Sequence, residues 1–191
     1  METYYKNKDG QRYVKKTVET GQTWWSREQK PGEFWVISGE PVEDLFLEKQ
    51  DCYVFDLDGT VFDSSPRDHL IPADPSTTDN WTEWNRACHL DTVIEPVAII
   101  ASALVKAGHT VRYVTSRCED GMVETMTAIT DAGLPMGYLH MRSIGDNRSH
   151  VDVKKDMFAT LSETHNIIAA FEDQQDNVDA LSSLGYTMIK V

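Results

Sequence analysis

The chain has 191 residues, of which 40% are hydrophobic and 26% are charged, and its formal net charge is −13. This length supports one well-cored domain with an appendage. No apolar run reaches the roughly 18 residues of a membrane span, so we expect no membrane partner. Beyond residue 50, ten Lys or Arg stand against 22 Asp or Glu, which predicts a poor general binder of long polyanions because phosphate contacts need clustered basic residues. A single phosphate or a strand end remains an acceptable ligand.

The first residues, METYYKNKDG, contain no apolar segment of the kind found in signal peptides. The three cysteines, Cys52, Cys88 and Cys118, lack the paired spacing of a disulfide framework or a zinc site. We therefore expect a reducing, cytoplasmic location. The sequence does not indicate an oligomeric state.

Residues 1–50 are expected to form a separate, small, β-rich N-terminal extension. They hold eight of the 18 aromatic residues, and short strands at 12–18 and 33–38 are predicted around turns at Asp9-Gly10 and Pro31-Gly32. Two interpretations of these aromatic residues stay open. They pack against the main sheet, since short hairpins rarely stand alone, or they form an interaction module, since aromatic residues interleaved with basic ones can bind single strands.

From residue 51 onward, short apolar runs alternate with amphipathic stretches, which predicts an α/β domain with a parallel central sheet and crossover helices. The predicted elements are, in chain order, strand 52–56, helix 95–106, strand 111–115, helix 119–132, strand 138–141, helix 152–164, strand 167–171, helix 176–184 and strand 186–191. Helical periodicity directs two sets of residues toward the core: Val97, Ile100, Ala101 and Leu104 of the first helix, and Met122, Val123, Met126 and Ile129 of the second. Residues 61–94 are irregular and predict a flap, or minimal cap.

The most informative stretch is CYVFDLDGTV at residues 52–61, in which an apolar strand runs into Asp56 and Asp58. Ligands of open α/β sheets bind at the carboxyl ends of the strands. Two aspartates at positions i and i+2 of an extended segment point the same way, and they repel each other unless a cation lies between them. The pattern therefore predicts a Mg²⁺-assisted site with one carboxylate free to act as a nucleophile or as an acid or base, although Asp-Gly is also a common turn dipeptide.

The later strands also lead into polar residues that suit a phosphate site. These are Thr115, Ser116 and Arg117 after the second strand, Lys154 and Lys155 at the start of the helix after the third strand, and Glu172 and Asp173 after the strand at 167–171. Each of these, taken singly, is common as a helix cap or as a solvated charge. Because they occur at successive strand ends, we expect them to form one site for a phosphate and a cation.

The segments FDLDGT, VTSR, Lys154 and FED resemble the four motifs of the haloacid dehalogenase (HAD) superfamily of phosphatases, over about residues 51–191. The resemblance implies a Rossmann-like, three-layer fold with Asp56 as the nucleophile that forms an aspartyl-phosphate and Asp58 as the acid and base. It further implies that Thr115 binds phosphoryl oxygens, that Lys154 neutralises charge between the phosphate and Asp56, and that Mg²⁺ is held by Asp56, the Asp58 carbonyl and Asp173, with Glu172 as a supporting partner. Carboxylates attack phosphate dianions poorly unless such cations screen the repulsion.

A narrower resemblance is to the 3′-phosphatase domain of polynucleotide kinase–phosphatases. It rests on Arg67 after FDLDGT, on Arg117 in VTSR, on IEPV at residues 94–97 and on MRSIGDNRSHVDVKKDMF at residues 141–158. It implies that substrate is bound by Arg67, Ser116, Arg117 and Arg148. The chain departs from that family because it has no P-loop kinase motif and because His150 stands where the family usually has an acidic residue.

The sequence thus predicts a Mg²⁺-dependent phosphomonoesterase whose substrate is a phosphorylated nucleotide or nucleic-acid end. The leading hypothesis is a 3′-phosphate, which Arg67 and the GDNR segment favour. The alternative is a (deoxy)nucleoside 5′-monophosphate, which the acidic charge favours. A third hypothesis, from a different functional class, is a nucleic-acid or protein interaction module that uses the N-terminal aromatic segment.

Overall fold

The computed structural model describes residues 1–41 and 45–191, apart from the side chains of Phe46 and Leu47. The described residues form two compact units, Met1–Gln50 and Asp51–Val191. None of their helices is both long and apolar enough to cross a membrane, while the expected cytoplasmic location stays a prediction. The three cysteines are free and buried.

The first unit is a five-stranded antiparallel sheet in the order β4-β3-β2-β1-β5. Its strands are β1 (Glu2–Asn7), β2 (Arg12–Thr17), β3 (Thr23–Lys30), β4 (Glu33–Ile37) and β5 (Leu45–Leu47). The turns after β1 and β3 contain Gly10 and Gly32, each with a φ of 81°, a conformation that glycine adopts without steric cost. The predicted β-rich character, both predicted strands and both predicted turns are confirmed.

The second unit is built around a five-stranded parallel sheet in the order β10-β9-β6-β11-β12. Its elements are β6 (Gln50–Phe55), β7 (Phe62–Asp63), α1 (Thr82–Arg86), β8 (Thr92–Val93), α2 (Glu95–Lys106), β9 (Thr110–Cys118), α3 (Met122–Asp131), β10 (Tyr138–Arg142), α4 (His150–Thr164), β11 (His165–Glu172), α5 (Gln175–Ser183) and β12 (Met188–Lys190). Short 3-10 helices at Ser65–Leu70, Thr78–Trp81 and Ala87–Leu90 lie in the predicted flap. The predicted α/β class, with a parallel sheet between helices, is confirmed.

Two hydrophobic clusters hold the helices against the sheet. The first joins β6, β9 and β11 to α2 and α3, and includes Phe55 and Phe171, whose stacked rings have centroids 4.4 Å apart. The second joins the same strands to α4 and α5 through residues such as Phe158 and Leu181. Buried apolar area of this kind supplies most of the stability of a domain. The two clusters fix the strands, and so the positions of the polar residues at their carboxyl ends.

The predicted inward faces of α2 and α3 are partly wrong. Ile100 is 40% exposed, and Met122, Val123 and Met126 are 36%, 75% and 42% exposed. In α3 the buried positions are Ile129, as predicted, and Thr125, whose hydroxyl lies 3.5 Å from Nη1 of the buried Arg117. The helix thus turns a hydroxyl toward a buried cation, and its most apolar face is left at the surface.

Candidate active site

Asp56 and Asp58 lie where β6 ends at the carboxyl edge of the sheet. The Asp56 amide donates to the Phe171 carbonyl of β11 at 3.1 Å, which continues the sheet one residue beyond the strand. The Leu57 carbonyl then accepts hydrogen bonds from the amides of residues 60, 61 and 62, and Gly59 adopts a φ of 78°. This tight loop holds both carboxylates at the sheet edge, because each is anchored through the backbone.

The buried ammonium of Lys154 connects Asp56 to Glu172. Its Nζ lies 2.8 Å from Asp56 Oδ1 and 2.6 Å from Glu172 Oε2, and all three side chains are almost completely buried. Burial lowers the pKa of Lys154, but the two carboxylates outweigh it and the net pKa is raised. Lys154 is therefore charged, and it can face both Asp56 and an incoming phosphate.

The acidic cluster at this edge fits a divalent cation. Asp56, Glu172 and Asp173 each offer an oxygen, and the three oxygens lie within 4.8 Å of one another. Burial, together with the Glu172 and Asp58 charges, raises the pKa of Asp56, although Lys154 opposes this shift. Three carboxylates around one ammonium leave uncompensated negative charge, which a hard cation with oxygen ligands neutralises.

Two details support Asp173 as a ligand. Its Oδ1 is buried and has no hydrogen-bond partner among the described residues. A Cβ at Gly59 would lie only 2.6 Å from Asp173 Cγ, so the glycine makes room for this carboxylate. Glu172 differs, because its oxygens are taken by Lys154 and by the Asn177 side-chain amide at 3.0 Å. Asp56 and Asp173 therefore carry the free oxygens, and Glu172 supports them.

The Asp58 carboxylate belongs to a separate ring of four charges. Arg117 donates to Asp58 Oδ2 through Nε at 2.9 Å and to Oδ1 through Nη2 at 2.7 Å. Arg67 Nη2 also binds Asp58 Oδ1. Asp91, a fully buried carboxylate, closes the ring by accepting from Arg67 Nε at 2.6 Å and from Arg117 Nη2 at 2.7 Å. The charge on Asp58 is thus balanced by arginines and not by a cation shared with Asp56.

This ring contains Arg67 and Arg117, both of which are predicted to bind substrate. Both side chains are fully buried, and their donors are directed to Asp58, Asp91 and, for Arg67, also the Trp84 carbonyl at 2.7 Å. The geometry therefore favours a positioning role for the two arginines over direct phosphate contact. Burial by itself raises the pKa of Asp58, but the two guanidinium groups outweigh it and the net pKa is lowered.

Thr115 and Ser116 lie inside β9, which continues past the predicted end to Cys118. The Thr115 hydroxyl accepts a hydrogen bond from the Arg117 amide at 3.1 Å, and its own proton remains free to be donated. The Ser116 hydroxyl is buried and finds no partner among the described residues. Both residues line the same cavity as Asp56 and Lys154.

Arg148 lies at the cavity rim and is half exposed. Its guanidinium pairs with Asp146 and Asp156, each at 2.7 Å, and exposed pairs of this kind contribute little to stability. Arg142 holds the turn in place by donating to the carbonyls of residues 146 and 148. Of the three arginines predicted to bind substrate, Arg148 is thus the one whose side chain is exposed.

One cavity of about 490 Å³ is lined by seven of these residues, Asp56, Asp58, Thr115, Ser116, Arg117, Arg148 and Lys154. Its outer wall comes from the flap and includes Trp81 and Trp84. Pockets that hold small molecules typically measure about 300 to 1,000 Å³. The cavity is therefore large enough for an organic group beyond the phosphate itself.

Sequence reasoning missed Asp91, Asn177 and the two flap tryptophans. Asn177 is buried and joins Glu172 to His150, whose Nδ1 lies 3.1 Å from Asn177 Oδ1. His150 thus lies beside the site, at the cavity lining. An isolated Asp or Asn carries no spacing signal, because its partners come from distant segments. The two tryptophans lie within residues 61–94, for which the sequence predicts only an irregular flap.

Comparisons with known proteins agree with this fold. A family model of the polynucleotide kinase PNKP phosphatase domain matches residues 50–191. No curated protein matches the sequence.

Similar solved structures include a Pnkp1/Rnl/Hen1 complex, with 21% identity, a TM-score of 0.62, and coverage of 75% of this chain and 45% of that chain. A class C acid phosphatase from Bacillus anthracis has 18% identity, a TM-score of 0.58, and coverage of 75% and 66%. A predicted phosphatase from Clostridium acetobutylicum has 14% identity, a TM-score of 0.54, and coverage of 75% and 85%. At such low sequence identity, these structural similarities show a shared fold and nothing more. The chain spans less than half the length of the first of these structures.

The cation site predicts a thermal shift with Mg²⁺. At a concentration about 100 times the Kd, binding to the folded state alone adds about 2.7 kcal/mol of stability, or roughly 5 to 10 °C in a domain of this size. Asp173→Asn should lose most of the shift, whereas Asp179→Asn, a change at an exposed carboxylate of α5, should keep it. Differential scanning calorimetry with and without Mg²⁺ measures both. An equal shift in Asp173→Asn would place the ion elsewhere.

Proposed function

The chain belongs to the family of polynucleotide kinase phosphatase domains and is a HAD-type phosphatase, and from this premise we propose that it removes a 3′-phosphate from a nucleic-acid end or nucleotide through an aspartyl-phosphate on Asp56. The observation that carries the proposal is the buried contact of Lys154 with Asp56, beside the cation-fitting oxygens of Asp56 and Asp173. A carboxylate that must attack a phosphate dianion needs positive charge on both sides.

In the proposed first step, Asp56 attacks the phosphorus atom and the ester oxygen leaves. Lys154 binds the phosphoryl group and Asp56 together, and the Thr115 hydroxyl donates to a phosphoryl oxygen. Mg²⁺, held by Asp56 and Asp173, supplies charge neutralisation when bound. In the second step, water attacks phosphorus and releases phosphate, which restores Asp56.

Asp58 is proposed to move the protons of both steps. Arg67 and Arg117 keep its pKa below the ordinary value, so it is ionised in the free protein and can accept a proton from the hydrolytic water. Donation to a leaving oxygen requires the protonated form, whose population falls as pH rises above that pKa. The arginine ring holds the carboxylate in one orientation for both transfers.

The 3′-phosphate is favoured over the 5′-phosphate by the family match of residues 50–191 and by the accessible Arg148 beside the cavity. The net charge of −13 keeps a (deoxy)nucleoside 5′-monophosphate as the alternative substrate. A mononucleotide tolerates an acidic surface better than a long strand does, since it presents fewer phosphates to repel.

The substrate test is phosphate release with Mg²⁺ from a 3′-phosphorylated oligonucleotide and from thymidine 3′- and 5′-monophosphates. Preference for either 3′ substrate is expected, and preference for the 5′-monophosphate would support the alternative. Asp56→Asn should lose about a thousandfold or more in kcat, because the amide keeps the shape but not the nucleophile. Asp131→Asn, an exposed change at the end of α3, serves as the matched control. Full activity in Asp56→Asn would contradict the mechanism.

The proton-transfer role predicts a dependence on the leaving group. Asp58→Asn should slow hydrolysis of an alkyl phosphate by about 10² to 10⁴-fold, the usual contribution of general acid catalysis. The same variant should slow p-nitrophenyl phosphate much less in the first step, because nitrophenolate leaves without a proton. Single-turnover rates of phenolate release and alcohol release measure the difference. Equal losses for both esters would assign Asp58 a structural role.

The N-terminal sheet offers a second candidate function as a strand-binding surface. Its register pairs Arg27 of β3 with Trp35 of β4, and Trp35 is 66% exposed. Aromatic rings beside a basic group can stack bases of single strands. Trp35→Ala should weaken binding of an unphosphorylated single-stranded oligonucleotide severalfold, measured by fluorescence anisotropy, with turnover of a small phosphoester unchanged. Unchanged anisotropy would exclude this use of the ring.

A further inference from the structure

Two tryptophan rings form the outer wall of the cavity, and the proposed chemistry uses neither of them. Trp81 and Trp84 both line the cavity whose floor contains Asp56 and Lys154. Their rings are nearly perpendicular, at 88°, with centroids 5.5 Å apart. Phosphate transfer needs charged and polar groups, so this aromatic wall has another use or serves only to pack the flap.

Contacts on both sides fix the wall in place. At the start of the 3-10 helix that ends at Trp81, the Thr78 amide donates to Asn147 Oδ1 at 2.7 Å, and the Thr78 hydroxyl accepts from the Gly145 amide at 3.1 Å. The Trp81 indole Nε1 donates to the Pro75 carbonyl at 3.1 Å. The flap is thereby tied to the turn that carries Arg148. The wall is preformed, which is typical of pockets that bind small organic groups.

Trp84 is packed from behind, and Trp81 is the ring left to meet a ligand. The guanidinium carbon of Arg67 lies 3.5 Å from the centroid of the Trp84 ring, so a buried cation covers one face of that ring. The same Arg67 binds Asp58. The aromatic wall is therefore joined to the ring of four charges around Asp58 through the Arg67 side chain. Its position relative to the reacting phosphate is thereby fixed.

The size and chemistry of the space suit a nucleoside. The cavity of about 490 Å³ exceeds what a phosphate group fills, and the additional space adjoins indole rings. Planar bases stack on such rings in a sequence-tolerant way, because every base has a π face. The Asn147 amide nitrogen, which has no hydrogen-bond partner among the described residues, also lines this space.

We propose that Trp81, supported by Trp84, binds the base of the nucleotide whose phosphate is removed, and that the flap thereby selects nucleotides over simple phosphoesters. This inference rests on the proposed phosphatase function and adds the residue that determines specificity. Because one cavity holds one nucleoside, a terminal nucleotide and a free mononucleotide share the same contact.

The test compares Trp81→Ala and Trp81→Phe with the wild type on four substrates. These are thymidine 3′-monophosphate, a 3′-phosphorylated oligonucleotide, the same oligonucleotide with an abasic 3′ end, and glycerol 2-phosphate. Trp81→Ala should raise KM for the two base-bearing substrates roughly tenfold, or ~1.4 kcal/mol, with kcat nearly unchanged. Trp81→Phe should restore most of the loss, and KM for the abasic and glycerol substrates should not change. The matched control is Tyr138→Ala, which removes an exposed aromatic side chain at the start of β10.

An equal rise in KM for glycerol 2-phosphate, or no rise for the base-bearing substrates, would overturn the proposal. Binding of thymidine 3′-monophosphate to Asp56→Asn, with and without Trp81→Phe or Trp81→Ala, gives a readout that needs no turnover. Calorimetry should show weaker binding in the Trp81→Ala double variant, and unchanged affinity would also overturn the base contact. If the wild type releases no phosphate from any substrate, the proposed function fails, while this binding measurement still decides the role of Trp81. Circular dichroism of each variant confirms that it is folded.

Discussion

The buried contact of Lys154 with Asp56 and Glu172 is the constraint on which the rest of the site depends. Charges taken out of water are costly unless they are paired and hydrogen-bonded, and here one ammonium serves two carboxylates at 2.8 and 2.6 Å. Asp173 adds a third carboxylate with an unpartnered oxygen. The arrangement is stable as a folded core only because Lys154 is present, yet it keeps excess negative charge that suits a divalent cation. We propose that affinity for a divalent cation follows from this incomplete charge balance at the sheet edge.

Two aspartates separated by one residue acquire opposite electrostatic environments. Burial beside Glu172 raises the pKa of Asp56, whereas Arg117 and Arg67 overcome the effect of burial and lower the pKa of Asp58. Pairs of titratable groups whose surroundings push their pKa values apart commonly divide catalytic roles between them. The difference between the two pKa values depends on Asp91, because this buried carboxylate fixes both arginines against Asp58. The flap also helps to hold Arg67 in this arrangement, since Trp84 packs on its guanidinium group.

The parallel sheet and the polar residues at its carboxyl edge could be predicted from the sequence, because both depend on local patterns. Apolar runs of strand length and carboxylates directly after them are visible in one dimension. The directions of the polar side chains could not be predicted from the sequence, because they depend on partners from distant segments. Arg67 and Arg117 resemble phosphate ligands in the motif, but in the structure Asp58 and Asp91 take their donors. Likewise, Thr125 of α3 faces the interior because the buried guanidinium of Arg117 lies there. Hydrophobic periodicity does not predict a contact of this kind.

The measurement that tests the central claim most directly is the stereochemical course at phosphorus. A phosphorothioate ester made chiral with two oxygen isotopes can be hydrolysed by the protein, with Mg²⁺, in water of the third isotope. Attack by Asp56 followed by attack of water gives two in-line displacements, so the account predicts net retention of configuration. Net inversion would show a single displacement by water, and it would contradict the role of Asp56 as the nucleophile.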